Sequence, residues 1–596
     1  MSGSTLTWQQ LRDLELSELT EAADAWNEVS GRSDTDRGRV DKAMTAKLRE
    51  TQESESAEKA VGQLTRLSRN FQYLHTECGL VRTALNGLAA DLAAPQRQLK
   101  DALQDAEELK FTVHPDGSVS YPASTQDTLL GPREYAGGSA HGNSRLPLEA
   151  PPLGRYGPGI LKPDPNAAKA QDIADRIARA VRSAHEIDGK YAKTLGELKA
   201  AKGLDVTDAT LRDAAHDTAD VRSTASDYLA RGIPEDTSPA ERKAWWDGLT
   251  EEQRQEYLKV APDLIGNLDG IPAASRDEAN RRYLPILMDE LGRSHDDDAG
   301  TKLDALRKMQ EKLNEPDYPP IFLLGIGDEG NGRAIVSYGN PDTAQNVSAY
   351  VPGLGTKLDG DFVDGTMKRA RDTALGAQKY DRSSASIVWL GYDAPQNVDV
   401  MSTGDAERGA PAYNRFMTGL SATNENLDPH ITAIGHSYGS LTVGTAARQE
   451  HGIPGVDDII LVGSPGVGVD KAEDLGVSRD HVFVGAADND LVTKLPSKLQ
   501  SVAGVIGFGL LGPVGAYVAG DIADPGDDDL YFGKDPASKA FGAQRFLVDD
   551  GPRPIMDLGG FDAHSQYFTP ELDRVSADNM ARIVSGHGGI THERHR

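Results

Sequence analysis

The chain has 596 residues, which is too long for one hydrophobic core, so several structural units are expected. Its formal net charge of −29 repels phosphate backbones and argues against a nucleic-acid partner. The single cysteine, Cys78, excludes an intrachain disulfide, and the N-terminus lacks the basic and apolar regions of a Sec signal peptide.

The first part of the chain has the composition of a helical hairpin. Residues from 7 to about 110 are rich in helix-forming types, with apolar residues at three- and four-residue steps. The polar stretch 30–39 predicts a break, with the first helix ending near Val29. In 111–122 a Pro-Asp-Gly turn lies between alternating residues and predicts a short β-hairpin. The first region is therefore taken as 1–122.

Two further regions follow. Residues 123–165 are rich in Pro, Gly and Ser, which predicts a linker. Helical patterning returns over 166–318, where Ser238, with Pro and an acid directly after it, is a typical helix start. This helical sequence contains no catalytic cluster, and its simplest role is packing.

At residue 319 the pattern changes to short, apolar, β-branched runs that alternate with helical stretches. Seven runs are predicted to be strands: 321–326, 333–338, 346–351, 386–392, 430–436, 458–464 and 481–487. Near-continuous apolar strands are typical of a sheet covered on both faces, and strand–helix alternation indicates a mostly parallel sheet. We therefore predict an α/β domain over 319–596, preceded by large all-α regions.

One segment of the predicted α/β domain raises the question of a membrane. Residues 502–520 are apolar and about as long as a spanning helix, but they contain six glycines and a proline. We therefore expect a buried or lid segment and no membrane span.

The segment Gly435-His436-Ser437-Tyr438-Gly439 has the pattern G-x-S-x-G. It directly follows a predicted strand and precedes a helical stretch, which is the strand–turn–helix setting of a nucleophile elbow. Small residues on both sides let the serine side chain stand clear of the backbone. This context predicts Ser437 as a nucleophile.

A serine nucleophile needs a base, and the base needs an acid that orients it. In this type of fold the acid and then the histidine follow the serine. Two aspartates come directly after the strand 481–487: Asp490, which we prefer, and Asp488, which stays open as the alternative. His564 lies after the last candidate strand, 545–550, where the base is required, whereas the later histidines lie in a terminal tail expected to be solvated.

An oxyanion needs two backbone N–H groups. One is expected from Tyr438, directly after the nucleophile, and the other from Leu354, in the glycine-rich turn 352–356. The sequence has no H-E-x-x-H pair, no calcium-loop alternation and no Walker or dinucleotide glycine motif in a βα context. Hence no metal and no organic cofactor is expected.

Five segments carry a family resemblance: YVPGLGT, AIGHSYGS, NDLVTKLP, LYFGKDPASKAFGAQRFLVDD and AHSQYF. In this order they resemble an actinobacterial α/β-hydrolase family that has long been described as a domain of unknown function. The resemblance covers roughly 320–570 and implies a mostly parallel sheet with helices on both faces. It also implies a triad of Ser437, Asp490 and His564. Leu491 stands where that family is expected to have proline, which leaves the choice of aspartate open.

The N-terminal hairpin is loosely similar to the WXG-type modules of type VII secretion. The similarity rests on Trp26 and on the pattern Tyr73-x-x-x-Glu77, although Trp26 is followed by Asn-Glu. It implies a protein partner for the N-terminal helices and export without a Sec signal. The alternative is a cytoplasmic location.

The sequence as a whole predicts a cofactor-independent serine hydrolase, either an esterase or a lipase-like acyl hydrolase, that acts on a small-molecule acyl ester. The preference for esters rests on the commonest chemistry of the fold. The alternative hypothesis is a non-enzymatic, secretion-associated or scaffolding protein with a degenerate hydrolase domain. The complete order of serine, aspartate and histidine argues against degeneracy.

Overall fold

The computed structural model describes the chain over 6–52, 54–128, 131–143, 164–198, 206–315, 318–396, 402–495, 529–553 and 562–596. The chain divides into two compact units, Met1–Pro234 and Glu235–Arg596. The division falls inside the region 166–318, which the sequence presented as one helical region. The helices that follow Pro234 therefore belong to the unit that contains the large sheet.

The described helices of the first unit are α1 (Trp8–Asp13), α2 (Leu16–Gly38), α3 (Ala46–Thr51), α4 (Glu55–Glu108), α5 (Pro165–Glu197), α6 (Asp208–Thr224) and α7 (Ser226–Gly232). The helices α2 and α4 pack antiparallel, as a helical hairpin requires. Ser30 Oγ donates to the His75 carbonyl at 2.7 Å, and Arg82 Nη1 donates to Asn27 Oδ1 at 3.0 Å.

The predicted break at 30–39 is wrong. The helix α2 continues through it, and a π-helical segment, Arg39–Thr45, joins α2 to α3, so the helical run ends at Thr51. The hydroxyls of Ser33 and Thr35 donate to carbonyl oxygens four residues earlier, at 2.9 and 3.0 Å. Such bonds keep short polar side chains within a helix, so polarity alone did not end this one.

The described strands of the first unit are β1 (Thr112–Val113), β2 (Val119–Tyr121), β3 (Ser124–Thr128), β4 (Gly131–Tyr135) and β5 (Gly138–Ala140). The predicted hairpin is confirmed in β1 and β2, and β5 pairs with β2, while β3 pairs with β4. The predicted linker 123–165 is therefore wrong at its start. Gly138 lies against the ring of Tyr121, so glycine here permits close strand packing.

The described helices of the second unit are α8 (Pro239–Gly248), α9 (Glu251–Val260), α10 (Pro262–Gly266), α11 (Ala273–Arg293), α12 (Ala299–Asn314), α13 (Met367–Ala377), α14 (Gly404–Thr423), α15 (Tyr438–Ala447), α16 (Asp562–Ser565) and α17 (Arg574–Val584). The predicted helix start at Ser238 is confirmed. Its hydroxyl accepts the Glu241 N–H, and the Glu241 carboxylate accepts the Ser238 N–H, which is a capping box.

The described strands of the second unit are β6 (Ile321–Gly327), β7 (Arg333–Tyr338), β8 (Asn346–Val351), β9 (Ser384–Leu390), β10 (His430–His436), β11 (Asp458–Val462), β12 (Val482–Gly485), β13 (Asp529–Leu530), β14 (Gly533–Lys534) and β15 (Gln544–Arg545). Eight of them form one sheet in the order β15-β12-β11-β10-β8-β9-β7-β6, in which β7 runs against its neighbours. The seven predicted strands and the mostly parallel α/β class are confirmed.

The helices that precede the sheet complete its packing. In α11 and α12, Leu287 and Met309 are buried in the same hydrophobic cluster as residues of β6, β7 and β8. Along the outer side of β6, Asn280 Nδ2 donates to the Leu323 carbonyl at 2.9 Å, and the Leu323 N–H donates to Asp277 Oδ1 at 2.7 Å. These contacts explain why the second compact unit begins well before the first strand of its sheet.

At the amino ends of β10 and β11 a buried carboxylate binds two histidines. Asp458 Oδ2 lies 2.8 Å from His430 Nε2, and Asp458 Oδ1 lies 2.7 Å from His481 Nδ1. Burial lowers the pKa of His430, but the hydrogen bond and charge of Asp458 outweigh burial and leave the pKa raised. The catalytic candidates lie at the opposite, carboxyl ends of the strands, where open α/β sheets place their ligands.

Candidate active site

Ser437 occupies a strained turn between β10 and α15. Its φ of 57° and ψ of −132° lie where residues other than glycine are rare. Its N–H donates to the Val462 carbonyl at 3.0 Å, which ties the turn to the neighbouring strand β11. A Cβ at Gly435 or Gly439 would collide with nearby backbone. The glycines of G-x-S-x-G are therefore required by close packing around the serine.

His564 and Asp490 form a hydrogen-bonded pair. His564 Nδ1 lies 2.9 and 3.0 Å from the two carboxylate oxygens of Asp490, which is fully buried. Tyr567 Oη donates to this carboxylate at 2.6 Å and the Val492 N–H donates at 2.8 Å. Burial alone raises the pKa of Asp490, but the His564 charge and these bonds outweigh it and lower the pKa. The carboxylate thus holds the proton on Nδ1 and leaves Nε2 as the basic nitrogen.

Ser437 and His564 line the same cavity, which has a volume of about 230 Å³. Its other described walls include the turn after β8, Arg369 of α13 and His436. Within the described residues, Ser437 and the imidazole are not hydrogen-bonded to each other. Bonds between a nucleophile and its base are often long before substrate binds, so the shared cavity is the relevant observation.

The two predicted oxyanion donors lie on segments that touch. Tyr438 is the first residue of α15, so its N–H has no partner within the helix. Leu354 lines the cavity. A Cβ on the adjacent Gly353 would come within 2.6 Å of Ser437 Cβ and 2.9 Å of the Tyr438 nitrogen. Two N–H groups can therefore approach one oxygen near Ser437 from the turn and from the elbow.

The structure separates the two aspartates that the sequence left open. Asp490 contacts His564, whereas the Asp488 side chain is 60% exposed and lies 3.6 Å from Arg545 and from Arg596. Asp488 forms ion pairs with these two cations and, among the described residues, makes no contact with the imidazole. Asp490 is therefore the aspartate brought to the histidine.

His436 is a part of the site that the sequence argument missed. Its ring stacks on His564 with centroids 4.6 Å apart, and its Nε2 donates to the His564 carbonyl at 2.8 Å. Arg369 Nη1 lies 3.4 Å from its Nδ1. Burial, together with the charges of His564 and Arg369, holds the pKa of His436 well below its ordinary value. A neutral His436 thus supports the backbone and one face of His564. The sequence signal for this role was the position of His436 directly before the serine.

Gly463 and Tyr567 were missed as well. A Cβ on Gly463, where φ is 58°, would lie 2.9 Å from His564 Nδ1 and 3.0 Å from Asp490 Oδ2. Tyr567 Oη, which donates to Asp490, also accepts the Ala487 N–H at 3.0 Å. A glycine directly after a buried strand was the signal for Gly463. Tyr567 lies in the quoted segment AHSQYF, but its role depends on contacts that spacing does not reveal.

The terminal tail is not uniformly solvated, and the expectation that it would be is wrong for Arg596. Arg596 Nη1 donates to the carbonyl and to Oγ1 of Thr493, both at 3.0 Å, and Nη2 donates to the Ala487 carbonyl at 3.1 Å. Thr493 Oγ1 in turn donates to the Asp490 carbonyl at 3.1 Å. One guanidinium therefore joins both ends of the loop that carries Asp490.

In the described part of the chain the candidate active site is accompanied by neither a metal-binding cluster nor a membrane-spanning helix. There, no group of three or more His, Cys, Asp or Glu residues could hold a metal ion. No described helix is both long and apolar enough to cross a membrane. The segment 502–520, predicted to be buried or a lid, lies outside the described residues.

The sheet order and the serine turn define an α/β-hydrolase fold, and comparison with known proteins agrees. A family model described as alpha/beta hydrolase matches residues 328–501. The uncharacterized protein Rv0963c of Mycobacterium tuberculosis (strain ATCC 25618 / H37Rv) is 40% identical over 201 residues, which cover 32% of this chain and 74% of that protein. The chain belongs to this α/β-hydrolase family.

A longer match has lower identity. The uncharacterized protein Rv2079 of the same strain is 29% identical over 394 residues, which cover 60% of this chain and 57% of that protein. The chain thus spans little more than half the length of this relative. An esterase structure from Pyrobaculum calidifontis is 13% identical and covers 51% of this chain and 98% of its own, with a TM-score of 0.27. That likeness is too weak to bear on activity.

Proposed function

We propose that the chain is a serine hydrolase of carboxylic esters. The observation that carries this proposal is the pair formed by His564 and the buried Asp490, which opens onto the same cavity as Ser437 on its strained turn. A serine becomes a useful nucleophile only beside a base whose orientation is fixed by a third group. We rank esters ahead of amides by analogy with the commonest chemistry of the fold.

Each residue of the site has a separate role in the proposed reaction. His564 Nε2 takes the proton from Ser437 Oγ as the oxygen attacks the ester carbonyl, and Asp490 stabilises the resulting imidazolium. The N–H groups of Leu354 and Tyr438 bind the oxyanion. The imidazolium gives its proton to the leaving alcohol as the carbon–oxygen bond breaks. Water, deprotonated by the same imidazole, then attacks the acyl-enzyme and releases the acid and the serine.

The test is covalent labelling of the purified chain with a fluorophosphonate, which reacts with activated serines. The wild type is expected to label, whereas Ser437→Ala and His564→Ala are not. Ser565→Ala is the matched control, because Ser565 lines the same cavity and follows the proposed base. A wild type that is folded by circular dichroism and yet does not label, or labelling that survives in Ser437→Ala, would refute the proposal.

A partner for the N-terminal helices and an exported location remain predictions. The exposed Trp26 lies within α2, whereas Tyr73 and Glu77 are buried in α4. Burial, with the nearby charge of Asp217, raises the pKa of Glu77 to about 7. A motif that a partner reads has to be reachable, so the buried pattern gives this prediction no support.

A further inference from the structure

Arg369 brings a positive charge to the cavity that contains Ser437. Its half-buried side chain lines that cavity from α13. Nη1 donates to Tyr350 Oη at 3.0 Å and lies 3.4 Å from His436 Nδ1, while the guanidinium carbon lies 5.8 Å from the Phe568 ring centroid. These contacts hold the guanidinium beside the residue that directly precedes the nucleophile.

The rest of the guanidinium has no protein partner among the described residues. All the contacts above use Nη1 or the guanidinium face, so Nε and Nη2 of Arg369 donate to no described residue, and no described carboxylate pairs with it. Two other arginines of this unit have a carboxylate partner: the half-buried Arg281 pairs with Asp277 at 2.7 Å, and the buried Arg276 pairs with Asp269 at 3.1 Å. Arg369 is half-buried, and its Nε and Nη2 are not among the buried polar atoms that lack a partner, so both stay open to solvent on the cavity wall and can exchange water for an anionic ligand.

We propose that Arg369 binds a carboxylate carried by the ester substrate, an inference that rests on the proposed hydrolase function and names its substrate class. The N–H groups of Nε and Nη2 point side by side from one planar group, and this fork matches the two oxygens of a carboxylate. The substrate is therefore an ester whose acyl or alcohol part bears a second, free carboxylate.

The lining of the cavity favours a small monoanion over other ligands. Lys357, Asp359 and Asp361 also line it, so its described charged side chains are two cations and two carboxylates, with no excess positive charge that would favour a doubly charged phosphate over a singly charged carboxylate. Among the described lining residues only Leu354 and Phe362 contribute large apolar side chains. A long hydrocarbon chain would have little apolar surface to pack against in this cavity, whereas a short, negatively charged group can bind Arg369.

The test compares esters that differ in one charge. Mono-4-nitrophenyl adipate and 4-nitrophenyl hexanoate place the charge on the acyl side, and 4-acetoxybenzoate and its methyl ester place it on the alcohol side. For at least one pair, the wild type is expected to show kcat/KM at least about tenfold higher for the anionic ester. Arg369→Gln is expected to abolish this preference, and Arg369→Lys to retain part of it.

A control variant separates two roles of Arg369: binding of the substrate carboxylate and support of His436. Tyr350→Phe removes one hydrogen bond of Arg369 and keeps the cation, so the anionic preference is expected to persist. If Arg369→Gln lowers kcat/KM equally for both members of each pair, Arg369 only positions His436 and the inference is overturned. If the wild type hydrolyses the anionic and neutral members of every pair equally well, the inference is overturned as well, but the proposed hydrolase function stands. If no ester is cleaved and no fluorophosphonate labels the chain, the proposed function is refuted, and this inference, which rests on it, is refuted too.

Discussion

Replacing Arg596 tests whether the terminal tail supports the candidate acid. In Arg596→Ala the loop that carries Asp490 loses four hydrogen bonds from a charged donor, two to Thr493 at 3.0 Å, one to the Ala487 carbonyl at 3.1 Å and a long one to the Ala486 carbonyl at 3.5 Å. The loop keeps its own bond from Thr493 to the Asp490 carbonyl. We therefore expect a displaced carboxylate in a chain that still folds.

The magnitude follows from these bonds. A hydrogen bond with one charged partner contributes about 1.5–3 kcal/mol, but the four bonds from one group are not additive, and the Arg596 side chain is 21% exposed. We take about 3 kcal/mol for the whole contact. If the reacting state has to restore the native loop, this energy corresponds to a loss of kcat/KM of roughly a hundredfold.

The assay is hydrolysis of a 4-nitrophenyl ester, with the free energy of unfolding measured in urea for the same variants. Arg594→Ala is the matched control, because it removes an exposed arginine two residues earlier and leaves the backbone contact of that residue in place. We expect the control to match the wild type. Wild-type kcat/KM in a folded Arg596→Ala chain would refute the reasoning, as would equal losses in both variants.

Three further outcomes are expected. Asp490→Asn is expected to lower kcat/KM roughly 10³–10⁴-fold by favouring the wrong imidazole tautomer, whereas Asp488→Asn changes it only slightly, and the reverse order would contradict the assignment. Gly353→Ala pushes a Cβ against the elbow and is expected to lower kcat roughly 10²–10³-fold, with Gly365→Ala, which has open space around it, as the control. Because the pKa of His430 is raised, its charged form stabilises the fold below about pH 6.5, and this contribution disappears as the pH rises through the folded pKa. Urea unfolding is therefore expected to show a decline of stability above that pH in the wild type that His430→Gln lacks.

The large sheet and the serine turn could be predicted from the sequence because both depend on local patterns. Seven apolar, β-branched runs predicted strands that the structure confirms. Ser437 could be singled out because its glycines are required by packing within a few residues, so the motif and its strand–helix setting carry the information together. His564 followed from chain order, although its contact with Asp490 crosses 74 positions.

Other features depend on contacts between distant residues, which no local pattern reveals. Asp488 and Asp490 lie two positions apart in one loop, and only their partners in space distinguish them: Asp488 pairs with the cations Arg545 and Arg596, whereas Asp490 contacts His564. From the sequence, Arg369 cannot be distinguished from an exposed helical arginine, because its place beside the serine turn depends on the packing of α13. The end of the first helix was misjudged because hydroxyls that bond back to the helix cannot be told from a break by polarity.

The packing of α11 against β6 has a consequence for any attempt to isolate the hydrolase. A fragment cut at residue 319 would keep every strand of the large sheet but lose Asn280 and Asp277, which bind the outer backbone groups of β6. It would also uncover the surface beneath Leu287 and Met309. An open strand edge beside an apolar face invites intermolecular strand pairing, so such a fragment is expected to aggregate, whereas one beginning at Glu235 retains its own edge protection.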